Sequence, residues 1–265
     1  MSQPPQLARS EAEHLRALVR ESSERTASSS FVIEGPHLLE RALESAPADI
    51  RSAYFTHEAL ESFSKLRMQL EKQKIEIVVI SIKQSERIAD TKTPQGVFAV
   101  VSVASQRNKR EDQCVIILDG VQDPGNVGTI IRAAAWFGVR RLIVGNNSAD
   151  PYAPKTLRST QGEIFSVTCE TSADLVSTVA AMKKDGYQIL TTTLDSAACS
   201  IYREEFSSKI VIVFGSESKG VSRELGRLAD RALIIPRIGS GESLNVAMSA
   251  AIILAERARK MNFVS

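Results

Sequence analysis

The chain reads, over residues 235–247, Ile235-Pro236-Arg237-Ile238-Gly239-Ser240-Gly241-Glu242-Ser243-Leu244-Asn245-Val246-Ala247. An apolar run ends at the proline, a loop with two glycines follows, and an apolar helical pattern begins after Asn245. This pattern predicts a strand-to-helix junction, where polar side chains and free backbone N–H groups are available to a ligand. Taken alone, the stretch is also compatible with a tight turn in which Ser243 caps the helix.

Between residue 114 and this junction, the sequence contains several apolar runs that are typical of strands. Most of them are followed by a helical pattern. Their alternation, with near-continuous Val and Ile in the strands, predicts an α/β domain over residues 114–265 with a parallel sheet covered on both faces. Ligands of such sheets bind beyond the carboxyl ends of the strands. Strands are predicted at 115–118, 141–144, 164–168, 188–192, 210–214 and 232–235, and helices at 127–137, 173–184, 222–228 and 246–260.

A smaller α/β domain is predicted before this one, over residues 31–103. Residues 1–30 are predicted to form a helical extension that ends in a serine-rich connector. Residues 104–113 contain one apolar residue, at their first position, and are predicted to be the linker between the domains, although a solvated loop within one domain is the alternative. In the smaller domain, strands are predicted at 31–33, 52–56, 75–80 and 98–103, and helices at 37–45 and 60–74.

The composition excludes several classes of protein. A hydrophobic content of 43% and a charged content of 24% are those of a soluble globular protein, and no apolar run is long enough to span a bilayer. The three cysteines, Cys114, Cys169 and Cys199, are too far apart for a disulfide framework or a metal-spacing pattern, so we expect no metal and a cytoplasmic location.

Charge and histidine content constrain the chemistry. The net charge of +2 does not by itself predict a nucleic-acid-binding protein, so any RNA contact must come from local clusters of basic residues. The three histidines, His14, His37 and His57, all lie in the first quarter of the chain. The C-terminal domain therefore has no histidine for acid–base catalysis.

Three predicted strands end in polar, glycine-bearing loops, within residues 118–132, 214–220 and 235–247. Glycine allows a close approach of the backbone to a ligand, so three such loops indicate one composite pocket. The first loop has the glycine spacing of a P-loop but lacks its Lys-Ser/Thr pair, and no Gly-x-Gly-x-x-Gly is present. A serine hydrolase would also need a base, and the C-terminal domain offers no histidine, because none follows His57.

These loops resemble the three motifs of the SpoU/TrmH group of the SPOUT methyltransferases, in the right order and spacing. The matching patterns are Asn126-x-Gly128-x-x-x-Arg132, Gly215-x-Glu217-x-x-Gly220, and Ile235-Pro236 followed by Ser243-Leu244-Asn245-Val246. The smaller domain resembles the ribosomal-protein-L30-like (L30e-like) substrate-binding domain that precedes many such catalytic domains, through Glu34-Gly35 and Thr93-Pro94-Gln95-Gly96.

The resemblance implies S-adenosylmethionine-dependent methylation of a ribose 2′-hydroxyl in RNA. It also implies a deep trefoil knot in the C-terminal domain and a homodimer built around it, although connection rules alone would predict an unknotted sheet. The added first domain favours ribosomal RNA as the target. A transfer-RNA methyltransferase, or a non-catalytic RNA-binding protein that keeps the fold, is the alternative.

The resemblance also implies roles for individual residues. The backbone groups of Gly215, Ile235 and Leu244, with Leu194 on an earlier segment, are expected to hold the adenosine of the cofactor, and core packing is the alternative. Basic residues expected to contact RNA phosphates are Lys155, Arg158, Lys219, Arg223 and Arg237. Arg237 is a departure, since many relatives have methionine after Ile-Pro.

Arg132 resembles the catalytic arginine of the family. It is expected to position the phosphate and ribose at the target; a general-base role would require an unusual environment, because free arginine stays protonated. Asn126, Glu217, Ser243 and Asn245 are the other expected catalytic residues. Asn126 and Asn245 are expected to hydrogen-bond the ribose or to fix Arg132, and Asn126 is also predicted to cap the helix after it. Ser243 is expected to bind a phosphate or cap the last helix, and Glu217 to orient a loop or pair with Arg132.

Overall fold

The protein is described by a computed structural model, which covers residues 7–103 and 112–261. The chain divides into two compact units. Unit 1 comprises Met1–Ser105 and Tyr152–Phe165, and unit 2 comprises Gln106–Pro151 and Ser166–Ser265. The predicted linker, 104–113, lies outside the described residues except for its last two positions.

The first part of the chain alternates short helices with four strands. α2, α6 and the break between α4 and α5 were not predicted from the sequence. The elements are α1 (Arg9–Arg20), α2 (Ser22–Ser28), β1 (Ser30–Glu34), α3 (Pro36–Ser45), a 3₁₀ turn (Pro47–Asp49), β2 (Ile50–Thr56), α4 (His57–Ser62), α5 (Ser64–Lys72), β3 (Glu76–Ile80), α6 (Ile82–Ile88) and β4 (Val97–Ser102).

The second part of the chain begins at the strand predicted over 115–118. Its elements are β5 (Cys114–Asp119), α7 (Pro124–Trp136), β6 (Arg141–Gly145), α8 (Pro154–Thr160), a 3₁₀ turn (Glu163–Phe165), β7 (Thr168–Ser172), α9 (Leu175–Lys184), β8 (Gln188–Thr192), β9 (Cys199–Ser200), β10 (Ile210–Gly215), α10 (Arg223–Leu228), β11 (Arg231–Ile234) and α11 (Val246–Lys260). Of these, α8 and the 3₁₀ turn after it belong to unit 1.

Unit 1 is built on a mixed sheet of four strands in the order β1-β4-β2-β3, in which β4 runs antiparallel to both of its neighbours. Helix α1 belongs to its core because the apolar residues of the helix fall on one face. Leu15, Leu18 and Val19 of that face cluster with Val32 and Phe98 of the sheet. The helical extension predicted over residues 1–30 therefore contains a helix, α1, that packs into the core of unit 1.

Unit 2 is built on a sheet of seven strands in the order β7-β6-β5-β10-β8-β11-β9, and every neighbouring pair is parallel. The predicted α/β architecture with a parallel sheet is confirmed. Buried residues of α9 and α10 pack on one face of this sheet, where Val179 and Leu225 join Val115 and Val211. α11 packs against α7 and also contacts β10. The knot stays a prediction.

One predicted strand is misplaced. Residues 164–168 were expected to form a strand, but Ile164 and Phe165 lie in a 3₁₀ turn and the strand begins at Thr168. The apolar pair is used instead for packing, since Ile164 is buried. β7 itself is a polar strand at one end of the sheet, and polar edge strands give little apolar signal.

No helix among the described residues is both long and apolar enough to cross a membrane.

Candidate cofactor and catalytic site

The carboxyl ends of β10, β8 and β11, three adjacent strands of unit 2, face one cavity. Its volume is about 890 Å³, and segments that follow each strand line it, within residues 191–195, 214–221 and 235–246. Crevices beyond the carboxyl ends of parallel strands are where ligands of such sheets bind. Two of the three predicted loops thus share one pocket, and the Thr191–Asp195 segment supplies its third wall.

Four residues expected to bind a cofactor all line this cavity: Leu194, Gly215, Ile235 and Leu244. Leu194 is 70% exposed and Leu244 is 47% exposed, which is unusual for leucine. Isolated exposed leucines need no explanation, but two of them in the lining of one cavity provide apolar surface for a planar ligand.

The loop after β10 is closed by backbone hydrogen bonds. The N–H of Ser216 donates to the Gly220 carbonyl (3.1 Å), and the N–H of Gly220 donates to the Ser216 carbonyl (2.9 Å). The Ser216 hydroxyl also accepts from the N–H of Lys219 (3.1 Å). The tight loop leaves no space for a side chain at Gly215 and carries Glu217 and Lys219 into the cavity wall.

The loop after β11 is held by Arg237. Its guanidinium donates to the Gly241 carbonyl (3.0 Å), which closes the glycine-bearing turn within residues 237–241. Arg237 lines the cavity and remains exposed, as does Ser243. Through this hydrogen bond, Arg237 stabilises the loop that forms this part of the cavity wall.

Asn245, rather than Ser243, caps α11. Its side-chain oxygen accepts from the N–H groups of Ala247 (2.9 Å) and Met248 (3.2 Å). The alternative that Ser243 caps this helix is not what the structure has, because the helix begins three residues later, at Val246. Ser243 is exposed at the cavity and is available to a ligand.

Asn126 is likewise not a cap. Asp123 caps α7 by accepting from the N–H of Asn126 (2.9 Å), and Pro124 occupies the first helical position, where proline is favoured. The Asn126 side chain is used elsewhere. Its nitrogen donates to the Glu217 carboxylate (2.6 Å), and its oxygen accepts from the side-chain nitrogen of Asn245 (2.9 Å). Three of the expected catalytic residues thus form one chain of hydrogen bonds.

Arg132 lies on α7, two turns after the start of the helix, and its side chain is exposed. Within residues 7–103 and 112–261 it has no hydrogen-bond or ion-pair partner. The alternative that Glu217 pairs with Arg132 is not what the structure has, since Glu217 accepts from Asn126. An exposed guanidinium without such a partner in the described part of the chain can bind an anion without first breaking an ion pair.

The five residues expected to contact RNA are divided between the two units. Lys219 and Arg237 line the cavity of unit 2, and Arg223 is exposed at the start of α10. Lys155 and Arg158 lie on α8 in unit 1. The Arg158 guanidinium donates to the Asp90 carboxylate (2.7 Å), so it already holds an anion within unit 1.

Sequence reasoning missed some polar residues of the site. Asp119 ends β5 and accepts from the N–H of Ser222 (2.7 Å), which ties the first strand of the site to the start of α10. Ser148 accepts from the N–H groups of Gly120 (2.9 Å) and Val121 (3.0 Å). Asp119 was detectable as a polar residue at a strand end, whereas Ser148 lies in another loop and gave no signal. Among the described residues, no group of His, Cys, Asp and Glu could hold a metal ion.

Known families match both parts of the chain. A model of the SpoU rRNA methylase family matches residues 113–255, and a model of the MRM3-like substrate binding domain matches residues 13–99. The chain belongs to the SpoU rRNA methylase family. The resemblance drawn from the three motifs is thereby confirmed.

Relatives of this SpoU methylase include proteins of known activity. It is 34% identical over 232 residues to the 23S rRNA (guanosine(2553)-2′-O)-methyltransferase RlmP of Bacillus subtilis, a match that covers 87% of this chain and 89% of that protein. The 23S rRNA (guanosine-2′-O-)-methyltransferase RlmB of Acinetobacter baylyi is 28% identical, with 85% and 96% covered. The crystal structure of AviRb from Streptomyces viridochromogenes in complex with AdoMet matches with a TM-score of 0.82 and 27% identity, over 96% of this chain and 99% of that chain.

Proposed function

We propose that this SpoU methylase transfers a methyl group from S-adenosylmethionine to a ribose 2′-hydroxyl of ribosomal RNA. One observation carries the proposal. At the carboxyl ends of the strands, two loops that line one cavity are hydrogen-bonded to α7, the helix that bears Arg132. The named rRNA 2′-O-methyltransferases among its relatives support the reaction and the class of substrate.

The cavity fits the proposed cofactor. Backbone groups at Gly215, Ile235 and Leu244 would read the edge of an adenine, and the exposed side chains of Leu194 and Leu244 would cover its faces. The backbone at Gly215 is packed too closely for any side chain, as expected where a strand end forms the wall of a snug pocket. When bound, S-adenosylmethionine supplies an activated methyl group, so the remaining work of the protein is to position the acceptor.

Arg132 is the residue proposed to position that acceptor. Its exposed guanidinium would hold the phosphate beside the target ribose in a bidentate contact and keep the 2′-hydroxyl in line. We favour this role over general-base catalysis, because arginine does not lose its proton in proteins without an exceptional environment. Ser243, exposed at the cavity, would donate its hydroxyl to a phosphate.

Phosphates of the RNA would also contact the basic residues of the two units. Lys219, Arg223 and Arg237 form the proposed contacts of unit 2. Lys155 and Arg158 form those of unit 1, and Arg158 would have to exchange the Asp90 carboxylate for a phosphate or share itself between them. Such contacts fix the position and orientation of the RNA on the protein, and they do not read its base sequence.

We also propose that the protein acts as a homodimer through α7 and α11 of unit 2. These helices pack together, and each carries a large exposed apolar side chain, Trp136 at 84% and Met248 at 61%. Exposed aromatic residues of this kind are typical of an interface. The trefoil knot and a cytoplasmic location, where ribosomal RNA would be encountered, remain part of the same proposal.

The test is to map 2′-O-methylation in total RNA from cells with and without the gene, and then to reproduce the modification with purified protein and S-adenosylmethionine. We expect one ribosomal nucleotide to lose its methyl group and the purified protein to restore it. Loss of a transfer-RNA modification instead would favour that alternative substrate, and an unchanged methylation map would favour a non-catalytic RNA-binding protein.

A further inference from the structure

The side chains of Asn245, Asn126 and Glu217 form a chain of hydrogen bonds that joins distant parts of the sequence. Asn245 precedes α11, Asn126 lies in the first turn of α7, and Glu217 lies in the loop after β10. The Asn245 nitrogen donates to the Asn126 oxygen (2.9 Å), and the Asn126 nitrogen donates to the Glu217 carboxylate (2.6 Å). We call these three side chains the amide chain.

The direction of the amide chain is fixed at its first member. The oxygen of Asn245 must face α11, because it accepts from the N–H groups of Ala247 and Met248 and an amide nitrogen could not do so. The nitrogen of Asn245 therefore faces Asn126, which must present its oxygen in return. That leaves the Asn126 nitrogen facing Glu217, whose carboxylate can only accept.

Asn126 thus has both ends of its amide engaged within the protein. Its two partners, Glu217 and Asn245, line the cavity, whereas Asn126 lies on the helix that carries Arg132. A displacement of either cavity loop is therefore transmitted to the start of α7 through these two hydrogen bonds. Displacements of about 1 Å at a group that positions a substrate can cost about a hundredfold in rate.

We propose that Asn126 is a positioning residue, which sets the placement of α7 and Arg132 against the two cavity loops and does not itself contact the RNA. The inference rests on the proposed methyltransferase function and deepens it, since it separates Asn126 from the groups that touch the substrate. It also predicts that hydrogen-bonding capacity, rather than the identity of the residue, is what matters at position 126.

The test reverses the polarity of the amide chain. Asn126→Asp places two carboxylates against each other, and we expect kcat to fall by at least about tenfold while cofactor affinity changes less. Glu217→Gln keeps an oxygen that can accept from Asn126 and should cost much less. In the double variant Asn126→Asp/Glu217→Gln, the carboxylate introduced at position 126 accepts from Asn245 and from the amide introduced at position 217. We therefore expect kcat to recover at least about fivefold over Asn126→Asp alone.

Asn245→Asp separates the amide chain from helix capping. Aspartate caps a helix about as well as asparagine does, but it cannot donate to Asn126. We therefore expect α11 to stay folded by circular dichroism while kcat falls as it does in Asn126→Asp. The matched control is Asn147→Asp, which adds the same charge at an exposed position that is not part of the cavity lining.

Two results would overturn the inference. If the double variant is as slow as Asn126→Asp, the Asn126 amide acts on the substrate itself; if Asn126→Asp is as fast as wild type, the chain positions nothing. Midpoints of thermal unfolding are measured for the same variants, and the double variant should regain what Asn126→Asp loses. The midpoints can be measured without any enzymatic activity. If the wild-type protein methylates no RNA, the proposed function is refuted, but the midpoints of the variants still test the hydrogen bonds of the amide chain.

Discussion

Gly215 lies so close to Gly220 that a Cβ atom built on it would be 2.0 Å from the carbonyl carbon of Gly220. The contact is with backbone atoms, so no side-chain rotation can relieve it. It exists because the loop after β10 folds back at once, with Ser216 and Gly220 exchanging two backbone hydrogen bonds. The cavity wall at the end of β10 is therefore formed by bare backbone.

Gly215→Ala should destabilise this wall. The added methyl group forces the loop to move, and overpacking of this kind costs about 1–3 kcal/mol. We expect a lower midpoint of thermal unfolding and weaker cofactor binding by calorimetry. The control is Gly226→Ala within α10, where a Cβ meets nothing within 4 Å and alanine favours the helix, so that midpoint should rise. Equal midpoints for the two variants would contradict the prediction.

The long, regular elements could be predicted from the sequence. The helix predicted at 246–260 is found at Val246–Lys260, and β8 is found at Gln188–Thr192 as predicted. Both have apolar residues at the period of their structure. By contrast, α8 was missed, because its seven residues are mostly polar and include a proline.

The candidate site was predictable in its parts but not in its connections. Two of the three motif loops supplied residues that line the cavity, since glycines and polar residues after buried strands are visible in the sequence. The hydrogen bonds between them join residues that are 91 and 119 positions apart, so no local pattern contains them. The caps of α7 and α11 were misassigned for a related reason: each region offers several polar residues that could cap, and tertiary contacts decide which one does.

Arg132→Ala should abolish most methylation while cofactor affinity stays nearly unchanged. Arg132 is exposed and lies outside the cavity lining, so its removal should affect neither folding nor the cofactor wall. Loss of a charge-assisted contact in the transition state costs about 3 kcal/mol or more, over a hundredfold in rate. Arg132→Lys should rescue little, because an ammonium cannot reproduce the planar fork.

The measurement for Arg132 combines single-turnover methylation rates with calorimetry of cofactor binding, and circular dichroism confirms folding. A rate for Arg132→Ala within a few-fold of wild type would show that this arginine has only a structural role.

Leu244→Asp should act in the opposite way, by weakening cofactor binding first. The substitution replaces exposed apolar surface at the cavity with a charge, and removing that surface from contact with a ligand forfeits about 1–2 kcal/mol of apolar burial, roughly a tenfold loss of affinity. Met68→Asp is the matched control, since Met68 is exposed on α5 of unit 1. The affinity of each variant for S-adenosylmethionine is measured by calorimetry. Equal affinities for the two variants would show that Leu244 does not contact the cofactor.

Asp230→Asn should show that the contacts of the Asp230 carboxylate stabilise unit 2 and that this stabilisation is lost in acid. The Asp230 carboxylate accepts from the N–H of Ile189 and pairs with Lys183, both at 2.7 Å. Partial burial raises the pKa of Asp230, but these two partners outweigh it and lower the pKa below its ordinary value. A lowered pKa in the folded state means that the stabilisation is present above the unfolded pKa of about 3.9 and is lost as pH falls below it.

We therefore expect Asp230→Asn to be less stable than wild type at pH 7, by about 1 kcal/mol or less because the pair is partly exposed to solvent. Denaturant unfolding at pH 7 and at pH 3 should show the difference shrinking at the lower pH. Asp185→Asn is the control, since the Asp185 side chain has no ion pair with any residue in the described part of the chain. A difference that grows on acidification would contradict the assigned sign.

Trp136→Glu should convert the proposed dimer into a monomer. Trp136 projects from α7 with 84% of its surface exposed, and a tryptophan at the centre of an interface typically contributes about 2 kcal/mol or more to association. A buried glutamate would add the cost of desolvating a charge. Light scattering should give about twice the chain mass of 28.9 kDa for wild type and the chain mass itself for the variant. Ile82→Glu, on an exposed position of unit 1, should remain dimeric. A wild-type monomer at micromolar concentration would refute the dimer, and a dimeric Trp136→Glu would place the interface on another face of the protein.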